Sequence, residues 1–165
     1  MQRLCAGLVA AALLNNATPP ARGEEANCGF RAWLTDTDPA GTYIRDQPST
    51  TSRIVATLKR PAEPYAMGVF VTGYRNGWLR IGLAAPSNGP PVFDGEGWMA
   101  SRLAAVTTRD FETPPRLYVQ PSTASRVAAE LPSGVNVTII GFACGFARVR
   151  HQGREGWLRA GHMRQ

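Results

Sequence analysis

Gln47-Pro-Ser-Thr-Thr-Ser-Arg-Ile-Val-Ala-Thr-Leu58 recurs downstream as Gln120-Pro-Ser-Thr-Ala-Ser-Arg-Val-Ala-Ala-Glu-Leu131. Eight of the twelve positions are identical, and Ile54/Val127 is a conservative exchange. Two further segments repeat in the same order. Gly73-Tyr-Arg-Asn-Gly-Trp-Leu-Arg-Ile81 matches Gly141-Phe-Ala-Cys-Gly-Phe-Ala-Arg-Val149, and Glu96-Gly-Trp-Met99 matches Glu155-Gly-Trp-Leu158. Ordered matches separated by gaps of unequal length indicate two copies of one small unit whose loops differ in size.

Each copy is short, so each core is expected to be small. The 17 Gly and 13 Pro of the 165-residue chain favour turns and short strands over helices. Expected strands in copy one are Ala32–Thr35, Thr42–Arg45, Ile54–Leu58, Val69–Tyr74, Trp78–Leu83 and Glu96–Ala100. The Asn76-Gly77 pair marks a hairpin, and Ser101–Leu103 is expected to form one helical turn. Copy two follows with Leu117–Val119, Val127–Leu131, Val135–Phe142, Phe146–Arg150 and Gly156–Leu158. It shows no counterpart of Ala32–Thr35 within its own borders. Ala84–Gly95 is an insertion absent from copy two. The expectation is an all-β chain: two small antiparallel barrels in tandem, at 24–107 and 116–165, joined by a linker at 108–115.

The formal charge of +6 is unevenly spread. Residues 116–165 hold seven Arg against Glu130 and Glu155, a net +5. Residues 24–115 hold nine basic and ten acidic side chains, a net −1. The basic half suits an anionic partner, while general solubility with an Arg-rich composition is the plainer alternative. No nucleic-acid partner is expected. The N-terminus carries one Arg, an apolar run Leu4–Leu14 and small residues to Ala21. That is the layout of a secretory signal at 1–21, too short to span a bilayer, and it leaves no stable membrane insertion after removal; a buried N-terminal helix is the alternative. A periplasmic or secreted location follows. Beyond this leader the chain keeps two cysteines, Cys28 and Cys144. One disulfide between them is the leading reading, with free thiols or pairing to another chain as the alternatives.

The opening Tyr43-Ile-Arg-Asp-Gln-Pro-Ser-Thr-Thr-Ser52 resembles the V-R-x-x-P-S-x-x-S start of bacterial SH3 domains. Gly77-Trp-Leu-Arg-Ile81 resembles their G-W-x-x-V strand, and Gly97-Trp98 their closing G-W. Copy two departs at Tyr118-Val-Gln-Pro121, where the Arg is missing and the opening is shorter, and at Phe146, which replaces Trp. The resemblance implies small barrels of the cell envelope that bind peptidoglycan peptides or envelope proteins.

Strand alternation then selects candidate ligand residues. With Leu79 and Ile81 inward, Trp78 and Arg80 face outward. With Ala147 and Val149 inward, Phe146, Arg148 and Arg150 face outward. An aromatic plate beside a guanidinium holds a peptide or sugar by stacking and charge-assisted hydrogen bonds. Tyr43 and Tyr74 are candidate neighbours. A competing reading packs Trp78 beneath the 84–95 insertion. Trp98 and Trp157 are read as core aromatics.

No catalytic set stands out. Cys28, Cys144, His151 and His162 lack the surroundings of a Cys–His hydrolase. They also lack paired zinc spacing, and Asp36–Gly41 lacks a calcium-loop ligand run. No metal, cofactor or enzymatic activity is expected. The leading function is a binding protein for wall peptide, peptidoglycan or an envelope protein; the second is an inhibitor or accessory subunit that inserts Pro86–Gly95 into a periplasmic or secreted enzyme, and the third a small Cys–His hydrolase acting through Cys144.

Overall fold

The structure, a computed structural model, describes residues 28–59, 66–110 and 112–164. The candidate leader at 1–21 lies outside them. Twelve strands run in chain order: β1 (Phe30–Leu34), β2 (Thr42–Arg45), β3 (Ile54–Leu58), β4 (Met67–Arg75), β5 (Trp78–Pro86), β6 (Phe93–Ala100), β7 (Ala104–Thr107), β8 (Arg116–Tyr118), β9 (Val127–Glu130), β10 (Asn136–Ala143), β11 (Phe146–His151) and β12 (Arg154–Arg159). Helix is confined, among the described residues, to the 3₁₀ turns Ser101–Leu103 and Ala160–His162.

The strand order is β3-β2-β6-β5-β4-β1-β7-β10-β11-β12-β8-β9, with every described pairing antiparallel. It reads the same from either end once the repeat is taken into account. Five strands of the first half, β3-β2-β6-β5-β4, are mirrored by β9-β8-β12-β11-β10. The central pair β1–β7 joins them through Trp33 opposite Ala105 and Leu34 opposite Ala104. β1 pairs with β4 just as β7 pairs with β10. Thus β7, lying ahead of the borders drawn for copy two, supplies the first strand that copy two lacks in sequence.

This central pairing corrects the expectation of one core per copy. The twelve strands form a single open sheet. Buried side chains from both halves form one cluster, from Phe30, Ile44, Leu79 and Met99 to Leu117, Ile139, Val149 and Leu158. The reason lies in β1 and β7, where Ala32 and Val106 are apolar and fully buried. Two small cores that share a wall remove more apolar area from water than two isolated ones.

Local chemistry explains the repeated words. In Gln-Pro-Ser-Thr-x-Ser the serines fold the loop on itself. The Ser49 N–H donates to the Gln47 carbonyl at 2.8 Å and the Ser122 N–H to the Gln120 carbonyl at 2.7 Å. Asn76 (φ 47°) and Gly77 (φ 84°) turn the β4–β5 hairpin in the left-handed region that Asn-Gly favours. Gly73 and Gly141 sit at matching bulges, where an added Cβ would meet the Arg80 Cβ at 3.4 Å and the Arg148 Cβ at 2.9 Å.

Cys28 and Cys144 form a disulfide. It ties the start of β1 to the β10–β11 turn, where the Gly145 N–H also donates to the Cys28 carbonyl at 3.1 Å. Phe30 stacks on Phe142 beside it, with ring centroids 5.8 Å apart. The staple therefore crosses from the first half to the second.

Candidate functional site

The inward residues of β5 and β11 are those expected: Leu79, Ile81, Ala147 and Val149 are fully buried. What their outward neighbours do differs along each strand. Trp78 lies opposite Ala100 at the start of β5, and Arg80 opposite Trp98 one step further. These two positions serve different surroundings.

Trp78 lines a cleft of about 270 Å³ with Tyr43, Arg45, Arg102, Asp36 and Asp38. One wall is the Thr35–Gly41 loop, closed by Asp side chains. Asp36 accepts from the Thr42 hydroxyl at 2.5 Å and from the Asp38 N–H at 3.0 Å, and Asp38 accepts from the Ala40 N–H at 2.9 Å. The other wall is the 3₁₀ turn Ser101–Leu103, tied to the loop by the Thr35 N–H donating to the Leu103 carbonyl at 2.9 Å. Tyr43 is 40% exposed, with the Arg45 guanidinium 5.7 Å from its ring centre. The competing reading of Trp78 as a side chain under the insertion is set aside, because the insertion extends the far ends of β5 and β6 instead.

Arg80 does not join that cleft. It pairs with Glu96 across the β5–β6 ladder. The Arg80 guanidinium, by hydrogen bond first and charge second, holds the Glu96 carboxyl below its ordinary value. The same pair recurs in the second half. Glu155 takes Arg148 at 3.3 Å and Arg150 at 2.6 Å. The repeated Glu-Gly-Trp thus carries a strand-clamping carboxylate. Exposed pairs of this kind contribute little to stability, and here they occupy guanidiniums that the sequence had offered to a ligand. Tyr74 packs against the core instead of the cleft. Phe146 meets Tyr118 edge-on, ring centroids 6.2 Å apart, and Tyr118 is buried.

Tyr118 explains the missing Arg of copy two. It faces Trp157 as Arg45 faces Trp98, so it stands at the Arg45 position. Trp98 and Trp157 are not core residues. Met99 and Leu158, fully buried, fill the interior, and each Trp lies half-buried on the outer face. The step of one residue along a strand reverses the face.

The second half has a cleft at the matching place. Arg109, Glu112, Thr113, Arg159, Gly161, His162 and Met163 line about 450 Å³. The Arg109 N–H donates to the His162 carbonyl at 2.8 Å, as Thr35 does to Leu103. With Trp157 at the Trp98 position, Arg159 stands where Ala100 does and His162 where Leu103 does. Neither cleft wall was selected from sequence. Loop residues and 3₁₀ turns have no period-two signal, and the equivalence emerges only once β7 is recognised as a first strand.

Among the described residues there is no cluster of three or more His, Cys, Asp or Glu able to hold a metal ion. With both sulfurs in the disulfide, neither Cys28 nor Cys144 offers a thiolate. No helix among the described residues is long and apolar enough to cross a membrane.

Residues 114–164 match the bacterial SH3 domain family. The match spans β8 to the last 3₁₀ turn, in the half whose opening motif departs further from the family pattern. None of the curated proteins matches the chain. Among solved structures, the chain is similar to that of NlpC2 from Trichomonas vaginalis, at 18% identity and a TM-score of 0.35, covering 84% of this chain and 49% of that one. It is similar also to NlpC1 from Trichomonas vaginalis, at 18% identity and a TM-score of 0.34, covering 83% of this chain and 46% of that one. The chain thus spans about half the length of these structures.

Proposed function

We propose that this is an exported, non-catalytic binding protein. In this reading both halves are SH3-like barrels that share a wall, and the clefts between each first loop and 3₁₀ turn grip cell-wall peptide or peptidoglycan. The observation that carries it is the first cleft: Trp78 and Tyr43 offer stacking faces, with Arg45, Arg102 and two carboxylates on the rim. An extended peptide needs such a set, aromatic surface for its side chains and charged groups for its termini and amides. The bacterial SH3 match over 114–164 supports a wall-related role, since such domains commonly bind peptidoglycan. The test is retention on purified sacculi. Wild type should pellet with them, and Tyr43→Ala with Trp78→Ala should stay in solution while remaining folded. Equal retention of both proteins, or of neither, counts against this reading.

A second reading is an inhibitor or accessory subunit of a periplasmic or secreted enzyme. The 87–92 loop favours it, with Val92 at 56% exposure as a side chain that a partner would cover. Deleting the loop should abolish capture of such an enzyme and leave sacculus retention unchanged.

A further inference from the structure

We infer that the first cleft recognises an α-amino-acid head, an ammonium and a carboxylate on one carbon, borne at the end of an aliphatic stem. On the wall-peptide reading above, on which this assignment rests, the head belongs to a side chain of the bound peptide. Four charged side chains line the cleft: Asp36 and Asp38 from the first loop, Arg102 from the 3₁₀ turn and Arg45 from β2. The two carboxylates and Arg102 stand on opposing walls. Among the described residues no ion pair engages any of these three. The donors that the carboxylates already hold are neutral: the Thr42 hydroxyl and Asp38 N–H for Asp36, and the Ala40 N–H for one Asp38 oxygen. The Arg45 guanidinium is turned to the Ser52 carbonyl at 2.5 Å and to the Tyr43 ring. Arg102, exposed on its turn, is the guanidinium left for a ligand.

The lining is balanced, two positive charges against two negative. A monoanion meets repulsion from the aspartates and a monocation from the arginines, whereas a dipolar head sets each charge against the wall that attracts it. Its ammonium donates to the aspartates, and its carboxylate takes the two-point fork of a guanidinium. Either end of a peptide main chain carries one of these charges without the other. A peptide shows both on one carbon where a side chain ends in them, as in a diamino diacid. The stem of such a side chain lies along apolar surface, which Tyr43, 40% exposed, and Trp78 supply. The second half lacks this set. By register Arg116, engaged by Glu130, stands where Tyr43 does, and Gly161 where Arg102 does. Tyr118, at the Arg45 position, is buried against Phe146. The second cleft has a guanidinium at Arg159, in the place of Ala100, but neither the aromatic pair nor an arginine on its turn.

The experiment titrates Nε-acetyl-lysine, a free head on an aliphatic stem, into isotopically labelled full-length protein. It should shift the Trp78 indole N–H and the Arg102 backbone amide saturably and leave Gly161 and His162 in place. Two masked compounds follow: Nα,Nε-diacetyl-lysine, which lacks the ammonium, and Nε-acetyl-lysinamide, which lacks the carboxylate. Each should bind at least about tenfold more weakly, the usual worth of one charge-assisted hydrogen bond. Arg102→Gln should lower affinity for the free head about tenfold and erase its advantage over the carboxamide. Asp38→Asn, which keeps an acceptor for the Ala40 N–H, should erase the advantage over the diacetyl compound. Equal binding of the free head and either masked form, or no saturable shift at Trp78 and Arg102, overturns the inference. Shifts at Gly161 and His162 alone overturn its placement in the first cleft. Sacculus retention that survives Arg102→Gln and Asp38→Asn but not the loss of Tyr43 and Trp78 sinks the head assignment and leaves the wall-peptide reading standing. Alanine binding as tightly as Nε-acetyl-lysine, without sacculus retention, keeps the head site and sinks the wall-peptide reading.

Discussion

Replacing both disulfide cysteines, Cys28→Ser with Cys144→Ser, isolates what the staple contributes. The bridged residues are 116 apart in sequence. For a closed loop of that size the chain-entropy relation gives about 5 kcal/mol at 25 °C. Little packing is lost, since Cys144 is exposed and Cys28 half-buried, so the effect acts mainly through the unfolded chain. At roughly 2–4 °C per kcal/mol for a chain of this length, the melting temperature should fall by about 10–20 °C. Denaturant melts followed by tryptophan fluorescence measure this, with fully reduced wild type as the control. The control and the double variant should superimpose. A loss below about 1 kcal/mol in both would refute the reasoning: either the two ends are already held together without the bridge, or the unfolded chain is not a free coil.

The face assignment predicts that Met99→Ala costs about 2–5 kcal/mol, as for a fully buried methionine, while its larger neighbour Trp98→Ala costs clearly less by the same denaturant melt. The Glu96 carboxyl, held low by Arg80, contributes stability that is present above its unfolded pKa and lost as pH falls through its folded pKa. Glu96→Gln should therefore lower stability slightly at neutral pH, leave it unchanged in acid below the folded pKa, and so flatten the acid side of the stability–pH curve. An unaltered acid limb would remove that ion pair from the account.

Much of the fold was legible because its signals are local. Thr42–Arg45 and Ile54–Leu58 stand as expected, fixed by alternation and by turn residues on either side. Asn76-Gly77 announced its hairpin because few other pairs adopt two successive positive φ values cheaply. β7 was not legible. Ala104-Ala-Val-Thr107 has no alternation and follows a 3₁₀ turn, and its place is decided by β1 and β10, which lie far away in sequence. With β7 went the shared core, since that strand is what joins the halves. The candidate site was half legible. Trp78 and Tyr43 meet as neighbours in one cleft, but Arg80, Arg148 and Arg150 are held by Glu96 and Glu155. Alternation names the face a side chain occupies, and only the cross-strand register names its partner. Trp98 and Trp157 lie on the face opposite to the one expected for a different reason. A large aromatic was assigned to a small core, whereas Met99 and Leu158 already fill it.

The claim that the first cleft grips wall peptide is tested most directly by the indole N–H signals of the chain's four tryptophans. Titrated with soluble peptidoglycan fragments, the Trp78 signal should shift saturably while those of Trp33, Trp98 and Trp157 stay in place. A shift of Trp98 or Trp157 with Trp78 unmoved would put binding away from the first cleft and contradict the account.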